Sequence, residues 1–128
     1  MTLKYKTICI SDTHLGTKDA QADLLNNFLK HNTAENLFLI GDIIDGWKIQ
    51  QNKWRWKQSH SNCIRRILGA GKHGCKVVYI TGNHDEFLRP FVAHNFESGN
   101  IKIVNQWEYT DINGKRWLLT HGDMFDGI

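Results

Sequence analysis

Residues 37–45 read Leu-Phe-Leu-Ile-Gly-Asp-Ile-Ile-Asp, an apolar run that passes directly into a glycine and a carboxylate. A short apolar run of this kind predicts a buried strand, here over residues 37–40. The glycine permits a tight turn, so Asp42 would stand immediately beyond that strand. This segment therefore predicts a strand with a carboxylate at its carboxyl end.

The same pattern recurs at three other places in the chain. Predicted strands over residues 7–10, 76–80 and 115–120 lead into Asp12-Thr13-His14, Gly82-Asn83-His84-Asp85 and His121-Gly122-Asp123. A single Asp after a strand means little, because Asp commonly forms turns and caps helices. Ligands of open α/β sheets, however, bind at the carboxyl ends of the strands. Four such clusters therefore predict one shared metal site.

The segments between the first three strands have helical spacing. Apolar residues recur every three or four positions over residues 19–30 and over residues 54–68, which predicts two helices with one face packed inward. Gly69, Gly71 and Gly74 then offer places for the second helix to stop. The order strand, helix, strand, helix, strand indicates parallel strands joined by crossover helices.

The last part of the chain predicts antiparallel pairing. A short strand is expected over residues 101–104, and Asn113-Gly114 between residues 107–111 and 115–120 is the strongest short hairpin signal. The predicted fold class is therefore α/β, a sandwich of mixed β-sheets flanked by helices.

Composition limits the chain to one domain. Its 128 residues, 41% of them hydrophobic, are enough for one core and too few for two. The net charge of +3 fits an anionic substrate but also many proteins that bind nothing acidic. Because no basic stripe is present, a nucleic-acid partner is not expected.

No signal peptide or membrane-length apolar window is present, so a cytoplasmic location is expected. Cys9, Cys63 and Cys75 match no zinc or disulfide spacing and are expected to be reduced thiols. Cys9 and Cys75 lie in or beside apolar runs, where a cysteine is usually a small core residue.

The residue types at the strand ends suit a two-metal site. Two divalent ions about 3.5–4 Å apart can clamp a phosphate and lower the pKa of a water between them. Because the cations repel each other, a bridging carboxylate is needed, and Asp42 is the candidate. Mixed carboxylate, imidazole and amide ligands favour Mn²⁺, with Fe or Zn²⁺ as alternatives, over Ca²⁺ or Mg²⁺.

The four clusters together resemble the ordered signature of the calcineurin-like metallophosphoesterases, Asp-x-His, Gly-Asp-x-x-Asp, Gly-Asn-His-Asp and His-Gly. The resemblance spans essentially the whole chain. It implies that Asp12 and His14 bind a first ion and that Asp42 bridges. It also implies that Asn83 and His121 bind the second ion.

The resemblance implies catalytic roles for two further residues. His84 would face the phosphate, stabilise the transition state and protonate the leaving oxygen. Asp45 would hold His84 in orientation, as a carboxylate does for an imidazole elsewhere. The alternative for Asp45 is a cap of the segment that follows it.

Within this family the chain is most similar to the UDP-2,3-diacylglucosamine diphosphatase-like branch, through residues 11–16, 41–47 and 82–89 and the His-Gly-Asp ending. The similarity implies a lipid-linked nucleotide substrate, in which a pyrophosphate joins a nucleoside to an acylated sugar. It also implies a place in lipid A synthesis and a peripheral contact with the inner face of the cell membrane. In the lipid A enzymes the third motif has the form Gly-Asn-Arg-Asp, whereas this chain has His84 in place of the arginine. This difference concerns the exact substrate and not the phosphoester chemistry.

The family completes its site with a Gly-His-x-His motif, one histidine for each ion, and no histidine follows His121 here. The expectation is that residues 1–128 are the N-terminal part of a single catalytic domain, truncated at the C-terminus, without the closing motif and lid. Such a chain would bind metal weakly, would be a poor catalyst and would expose apolar surface. Two other functions stay open, a phosphodiesterase acting on nucleotides or nucleic acid and a non-catalytic binding scaffold.

An aromatic and basic segment follows the second motif, with Trp47, Trp54, Trp56, Lys48, Lys53, Arg55 and Lys57. It would grip a base, a sugar or an acyl chain, or else the tryptophans pack the helix to the sheet. Arg89 would touch phosphate or form a surface salt bridge, and Asp123 and Asp126 would support His121 or end the strand. Four histidines match no motif and are expected at the surface: His31, His60, His73 and His94.

Overall fold

A mainly parallel sheet forms the centre of the computed structural model, which describes residues 2–88, 97–98 and 100–121. Its strands are β1 (Leu3–Ile10), β2 (Asn32–Ile40), β3 (Lys76–Ile80), β4 (Glu97–Ser98) and β5 (Ile101–Val104). They pair in the order β1-β2-β3-β5-β4, with β4 antiparallel to β5 and every other pairing parallel. The predicted crossover connections are confirmed.

Two helices cover one face of this sheet. α1 (Ala22–His31) and α3 (Gln58–Lys72) pack against each other and against the sheet, while α2 (Gly46–Gln50) is a short helix after β2. The core between helices and sheet is built from aliphatic side chains of all these layers, among them Ile8, Leu37, Leu39, Val77, Ile67 and Ala22. The register of β1 and β2, with Ile8 beside Leu37, places both residues in this core.

A hairpin covers part of the other face. Its strands β6 (Trp107–Thr110) and β7 (Arg116–Leu119) form a separate two-stranded sheet. The buried residues Phe38, Val78 and Ile80 meet the inner side of this hairpin at Trp107, Tyr109 and Leu119. The predicted sandwich of mixed sheets flanked by helices is therefore confirmed.

Both early strands begin sooner than their apolar runs. β1 starts at Leu3 and β2 at Asn32, although residues 3–6 and 32–36 are mostly polar and exposed. The two segments pair in register, with Leu3 opposite Asn32, and this pairing satisfies their backbone groups. Apolar content therefore marks only the carboxyl halves of the two strands.

The second long helix differs from its prediction at both ends. α3 begins at Gln58 rather than at residue 54, and it runs through Gly69 and Gly71 to Lys72. Gly71 is a packing position, because a Cβ there would lie 2.9 Å from Ile101 Cγ1. Two of the three glycines expected to stop the helix are therefore inside it.

Cys9 is exposed, so the expectation that it lies in the core is wrong. It is the register partner of Phe38 on the hairpin side of the sheet, but β1 is the edge strand and Cys9 stays open to solvent. Within the described part of the chain, no helix combines the length and the apolar character that crossing a membrane requires.

Candidate metal centre

The loops that follow β1, β2 and β3 are bonded to one another at the carboxyl edge of the sheet. The Asp12 N–H donates to the Gly41 carbonyl at 3.1 Å, and the His14 N–H donates to the Asp42 carbonyl at 2.9 Å. The Gly41 N–H donates to the Ile80 carbonyl at 2.7 Å. Backbone bonds therefore hold the first two predicted clusters side by side and join the second to the end of β3.

Three predicted metal ligands have left-handed backbone conformations. The φ angles are +57° at Asp12, +47° at His14 and +53° at Asp42, and Asn52 is the only other non-glycine residue with positive φ in the described ranges. This conformation costs an L-residue about 1–2 kcal/mol. Such backbone strain concentrates at functional sites, where the surrounding structure holds side chains in a required direction.

The buried carboxylate of Asp42 is the centre of the cluster. Its Oδ1 accepts the backbone N–H of His84 at 2.7 Å. Its Oδ2 lies 3.3 Å from His121 Nε2 and 4.0 Å from His14 Nε2. Asp42 Oδ1 therefore holds the loop that contains His84, while Oδ2 faces the imidazoles of His14 and His121.

His121 enters the site from the end of the hairpin and approaches Asp12. His121 Nε2 lies 3.0 Å from Asp12 Oδ1. This approach requires glycine at position 41, because a Cβ there would overlap the His121 imidazole. Burial alone would raise the pKa of Asp12, but hydrogen bonds from His121 and Ser11 outweigh it and leave that pKa below its ordinary value.

Asp45 is buried and has two roles. Its Oδ1 accepts the Lys48 N–H at 3.0 Å and so caps α2. Its Oδ2 is hydrogen-bonded to His14 Nδ1 at 3.1 Å and lies 3.0 Å from His84 Nδ1, which approaches without hydrogen-bond alignment. Burial raises the pKa of Asp45. The contacts with His84, the Lys48 N–H and His14 lower that pKa by a larger amount, so it lies below its ordinary value. The capping role considered for Asp45 is therefore present, and the same carboxylate lies beside the imidazole of His84.

The imidazole of His84 lies between two other rings. Trp47 packs on it with centroids 4.0 Å apart, and the His14 ring meets it edge-on at 4.8 Å. The His84 carbonyl accepts the Gly46 N–H at 2.7 Å. Trp47 therefore belongs to this site, whereas Trp56 packs internally and bonds Ser61 Oγ through Nε1 at 2.7 Å.

Asn83 is half-buried and lies on the loop between Gly82 and His84. A Cβ at Gly82 would be 2.5 Å from Asp42 Oδ1, and the His84 N–H binds the same oxygen. The backbone on either side of Asn83 is therefore pressed against the Asp42 carboxylate. All five predicted metal ligands lie at one edge of the sheet.

Asp85 organises this loop, a role that sequence reasoning missed. Its fully buried carboxylate accepts the N–H groups of Ile43 at 2.9 Å and Gly82 at 2.6 Å, and also the Tyr79 hydroxyl. Burial and the charge of Asp85 raise the pKa of Tyr79 far above its ordinary value, so the hydroxyl stays a donor. The available signal was an acidic residue at the end of the turn that begins at Gly82.

His60 was expected at the surface, and this prediction is wrong. Its side chain is buried in α3, and Nδ1 accepts the Gly16 N–H at 3.1 Å. This bond fixes the loop just after His14 from the helix side. His31 and His73 are exposed as expected, and Trp54 is also exposed. Four other residues whose roles were predicted from the sequence lie outside the described residues: Arg89, His94, Asp123 and Asp126.

The donor atoms present fit divalent metal ions. The ligand atoms of Asp12, His14 and Asp42 lie within 4.8 Å of one another, and those of His14, Asp45 and His84 form a second such group. Carboxylate oxygens and imidazole nitrogens are the mixed donor set that suits Mn, Fe and Zn. His14 binds Asp45 through Nδ1 and turns Nε2 toward Asp12 and Asp42, the arrangement in which a carboxylate orients a metal-binding imidazole.

Comparison with known proteins agrees with this geometry. A family model described as calcineurin-like phosphoesterase matches residues 5–128. A UDP-2,3-diacylglucosamine hydrolase of Tolumonas auensis is 26% identical over 119 residues, 89% of this chain and 45% of that protein. The enzyme of the same name from Photorhabdus laumondii is 29% identical over 91% of this chain and 48% of its own length.

A third relative has a different name. The DNA polymerase II small subunit of Methanothermobacter thermautotrophicus is 23% identical over 98% of this chain and 32% of its own length. The chain therefore spans about half the length of the hydrolases that it matches, and about a third of this subunit.

Proposed function

Because the chain belongs to the calcineurin-like phosphoesterase family, we propose that it hydrolyses phosphoric ester or pyrophosphate bonds at the carboxyl edge of the parallel sheet. The observation that carries this proposal is the position of Asp42. Its Oδ1 holds the backbone of His84, and its Oδ2 faces His14 and His121. Residues 1–128 would belong to one catalytic domain.

The proposed site holds two divalent ions. Asp12 and His14 would bind the first, Asn83 and His121 the second, and Asp42 would bridge them. Bound there, the ions would supply a water of lowered pKa and neutralise charge on the phosphate. The donor set favours Mn, with Fe or Zn as alternatives.

The chain's own catalytic group in this proposal is His84. Because Nδ1 faces Asp45, Nε2 is the nitrogen left to reach a substrate. The Asp45 carboxylate stabilises the protonated imidazole, which would donate its proton to the leaving oxygen. A side chain only 26% exposed, packed against Trp47, is confined to a narrow range of directions.

The proposed substrate is a UDP-linked acylated sugar of the lipid A type. Support comes from the names of relatives such as those of Tolumonas auensis and Photorhabdus laumondii. Such a substrate would place the protein in the cytoplasm, in peripheral contact with the membrane. His84 occupies the position of the arginine in the Gly-Asn-Arg-Asp motif of the lipid A enzymes. The substrate is therefore tested directly below.

A second candidate function is a phosphodiesterase that acts on nucleotides or nucleic acid, or a non-catalytic scaffold with this fold. The observation that favours it is the similarity to a DNA polymerase II small subunit. The net charge of only +3 argues against a strong nucleic-acid contact.

The test is hydrolysis of three substrates by the Mn²⁺-loaded chain: UDP-2,3-diacylglucosamine, bis-p-nitrophenyl phosphate and single-stranded DNA. The proposal predicts metal-dependent hydrolysis of the first two, lost in Asp42→Asn and kept in Asp23→Asn, an exposed α1 control. Preferential cleavage of DNA would establish the second candidate. Hydrolysis of none of the three, either by this chain or by a version extended through a Gly-His-x-His closing motif, would favour the scaffold.

A further inference from the structure

Lys48 is a half-buried lysine of α2 on the wall of a cavity of about 730 Å³. Asp12 and His14, two of the proposed metal ligands, line the same cavity. Its volume is within the range of small-molecule sites, about 300–1,000 Å³. A substrate with a phosphate at the metal centre would therefore enter the space that Lys48 borders.

The backbone of Lys48 is fixed on both sides. Its N–H donates to Asp45 Oδ1 at 3.0 Å, and its carbonyl accepts the Lys53 N–H at 2.9 Å. The preceding residue, Trp47, packs on the imidazole of His84. None of these contacts uses the Lys48 ammonium group. The fold therefore places this side chain at the cavity wall and leaves its charge available to a ligand.

The ammonium group of Lys48 has no carboxylate partner among the residues that the structure describes. Lys6, by contrast, pairs with Glu35 at 2.7 Å. The carboxylates of Asp12 and Asp19 also line the cavity, but neither lies within ion-pair distance of Lys48 Nζ. Partial removal of water from an unpaired ammonium costs free energy, which an anionic ligand in the cavity would offset.

The chemistry of this ammonium group fits a second phosphate. A simple phosphodiester carries one negative charge, which lies on the phosphate that is attacked. A pyrophosphate bond places another anionic phosphate directly beside the first. Lysine binds phosphate oxygens as a compact point charge, through charge-assisted hydrogen bonds. Only a substrate with two phosphates therefore offers one anionic group to the metals and another to Lys48.

We propose that Lys48 binds the phosphate that is not attacked in a pyrophosphate substrate, and that it thereby gives the site a preference for pyrophosphates over simple diesters. The inference rests on the proposed function, which places the attacked phosphate beside Asp12 and His14. In hydrolysis, the bond between the attacked phosphorus and the bridging oxygen breaks. That oxygen leaves with the phosphate held by Lys48 and takes the proton from His84.

The test compares the affinities of UMP and UDP by calorimetry at one fixed Mn²⁺ concentration, because these ligands differ by one phosphate. Wild type should bind UDP at least about tenfold more tightly than UMP, as a hydrogen bond to a charged group predicts. Lys48→Gln should lower this ratio of affinities at least about fivefold, and Lys48→Arg should keep most of it. Lys53→Gln removes the same charge from an exposed lysine outside the cavity and should leave the ratio unchanged.

Three results would overturn the assignment of Lys48: an unchanged ratio in Lys48→Gln, an equal fall in Lys53→Gln, or no binding of UDP to wild type. Hydrolysis of UDP-2,3-diacylglucosamine and bis-p-nitrophenyl phosphate tests the proposed function separately. If neither is hydrolysed although Lys48→Gln lowers the ratio, only the proposed function fails. If they are hydrolysed and the ratio is the same in Lys48→Gln as in wild type, only the assignment of Lys48 fails.

Discussion

Asp45 Oδ2 lies 3.0 Å from His84 Nδ1, while the other oxygen of the same carboxylate caps α2. One buried side chain therefore couples the start of a helix to the proposed catalytic imidazole. The two roles require different properties. The cap needs only an acceptor atom, whereas the imidazole needs a negative charge.

Asp45→Asn should separate these roles. The amide oxygen can still accept the Lys48 N–H, so the free energy of unfolding should fall by less than about 1 kcal/mol. Loss of the charge beside both His84 and His14 should lower kcat by about 10–100-fold. Thermal unfolding and turnover of bis-p-nitrophenyl phosphate measure the two effects. Asp45→Ala, which also removes the cap, should unfold more easily than Asp45→Asn, and unchanged kcat in both would refute the coupling.

His84→Ala should separate catalysis from metal binding. Because His84 is proposed as an acid and not as a ligand, the Mn²⁺ content of the protein should stay nearly unchanged. Turnover should fall by about 10²–10⁴-fold, the usual range for a positioned acid or base. Elemental analysis and initial rates on one preparation decide between the roles. Loss of Mn²⁺ from the variant would make His84 a ligand.

Trp47 should act through His84. Its ring lies against the imidazole at 4.0 Å between centroids, and such aromatic contacts are worth about 0.5–1.5 kcal/mol. Trp47→Ala should therefore lower kcat by about two- to tenfold, with KM for bis-p-nitrophenyl phosphate little changed. Trp47→Phe should restore most of the loss. A change confined to KM would instead indicate that Trp47 contacts the substrate.

His60 should make stability fall in mild acid. Burial, with the nearby charge of Lys57, lowers the pKa of His60 below 6.5, against an opposing effect of Asp23. Between that lowered pKa and 6.5 the unfolded chain binds more protons than the folded chain. The contribution is therefore complete above about pH 6.5 and is lost at lower pH, by at most about 1.4 kcal/mol per pH unit.

Denaturant unfolding between pH 5 and 8 tests this for wild type and His60→Asn. The Asn variant should be less stable at pH 8, because the bond to the Gly16 N–H is altered, and it should depend less on pH. Parallel pH profiles for the two proteins would show that His60 does not titrate on unfolding.

The strand ends were the predictable part of the fold. Residues 37–40 and 77–80 are continuous apolar runs because helices cover one face of the sheet and the hairpin the other. The five-residue helix α2 gave no such signal, since it has less than two turns and depends on the cap from Asp45. Polar residues 32–36 are a strand only because β1 lies beside them.

The candidate site, like the fold, was predictable only where its residues follow the strands in sequence. The motifs predicted that Asp12, His14 and Asp42 lie at one edge of the sheet, because they stand in the loops that follow β1 and β2. The residues that hold the loops of the site in place are far from those loops in sequence, so no local sequence pattern predicts their contacts. His60 reaches Gly16 across 44 positions, and Asp85 reaches Ile43 across 42 positions. Both bonds depend on tertiary packing that periodicity does not encode.

The central claim is that Asp42 is shared by a metal site, and Mn²⁺ titration of the chain tests it most directly. Calorimetry should be performed on wild type, Asp42→Asn and the exposed control Asp23→Asn. Wild type and Asp23→Asn should bind Mn²⁺ saturably with equal affinity. Asp42→Asn should bind at least about tenfold more weakly, because the charge between the imidazoles of His14 and His121 is lost. Equal affinities in all three proteins would contradict the account.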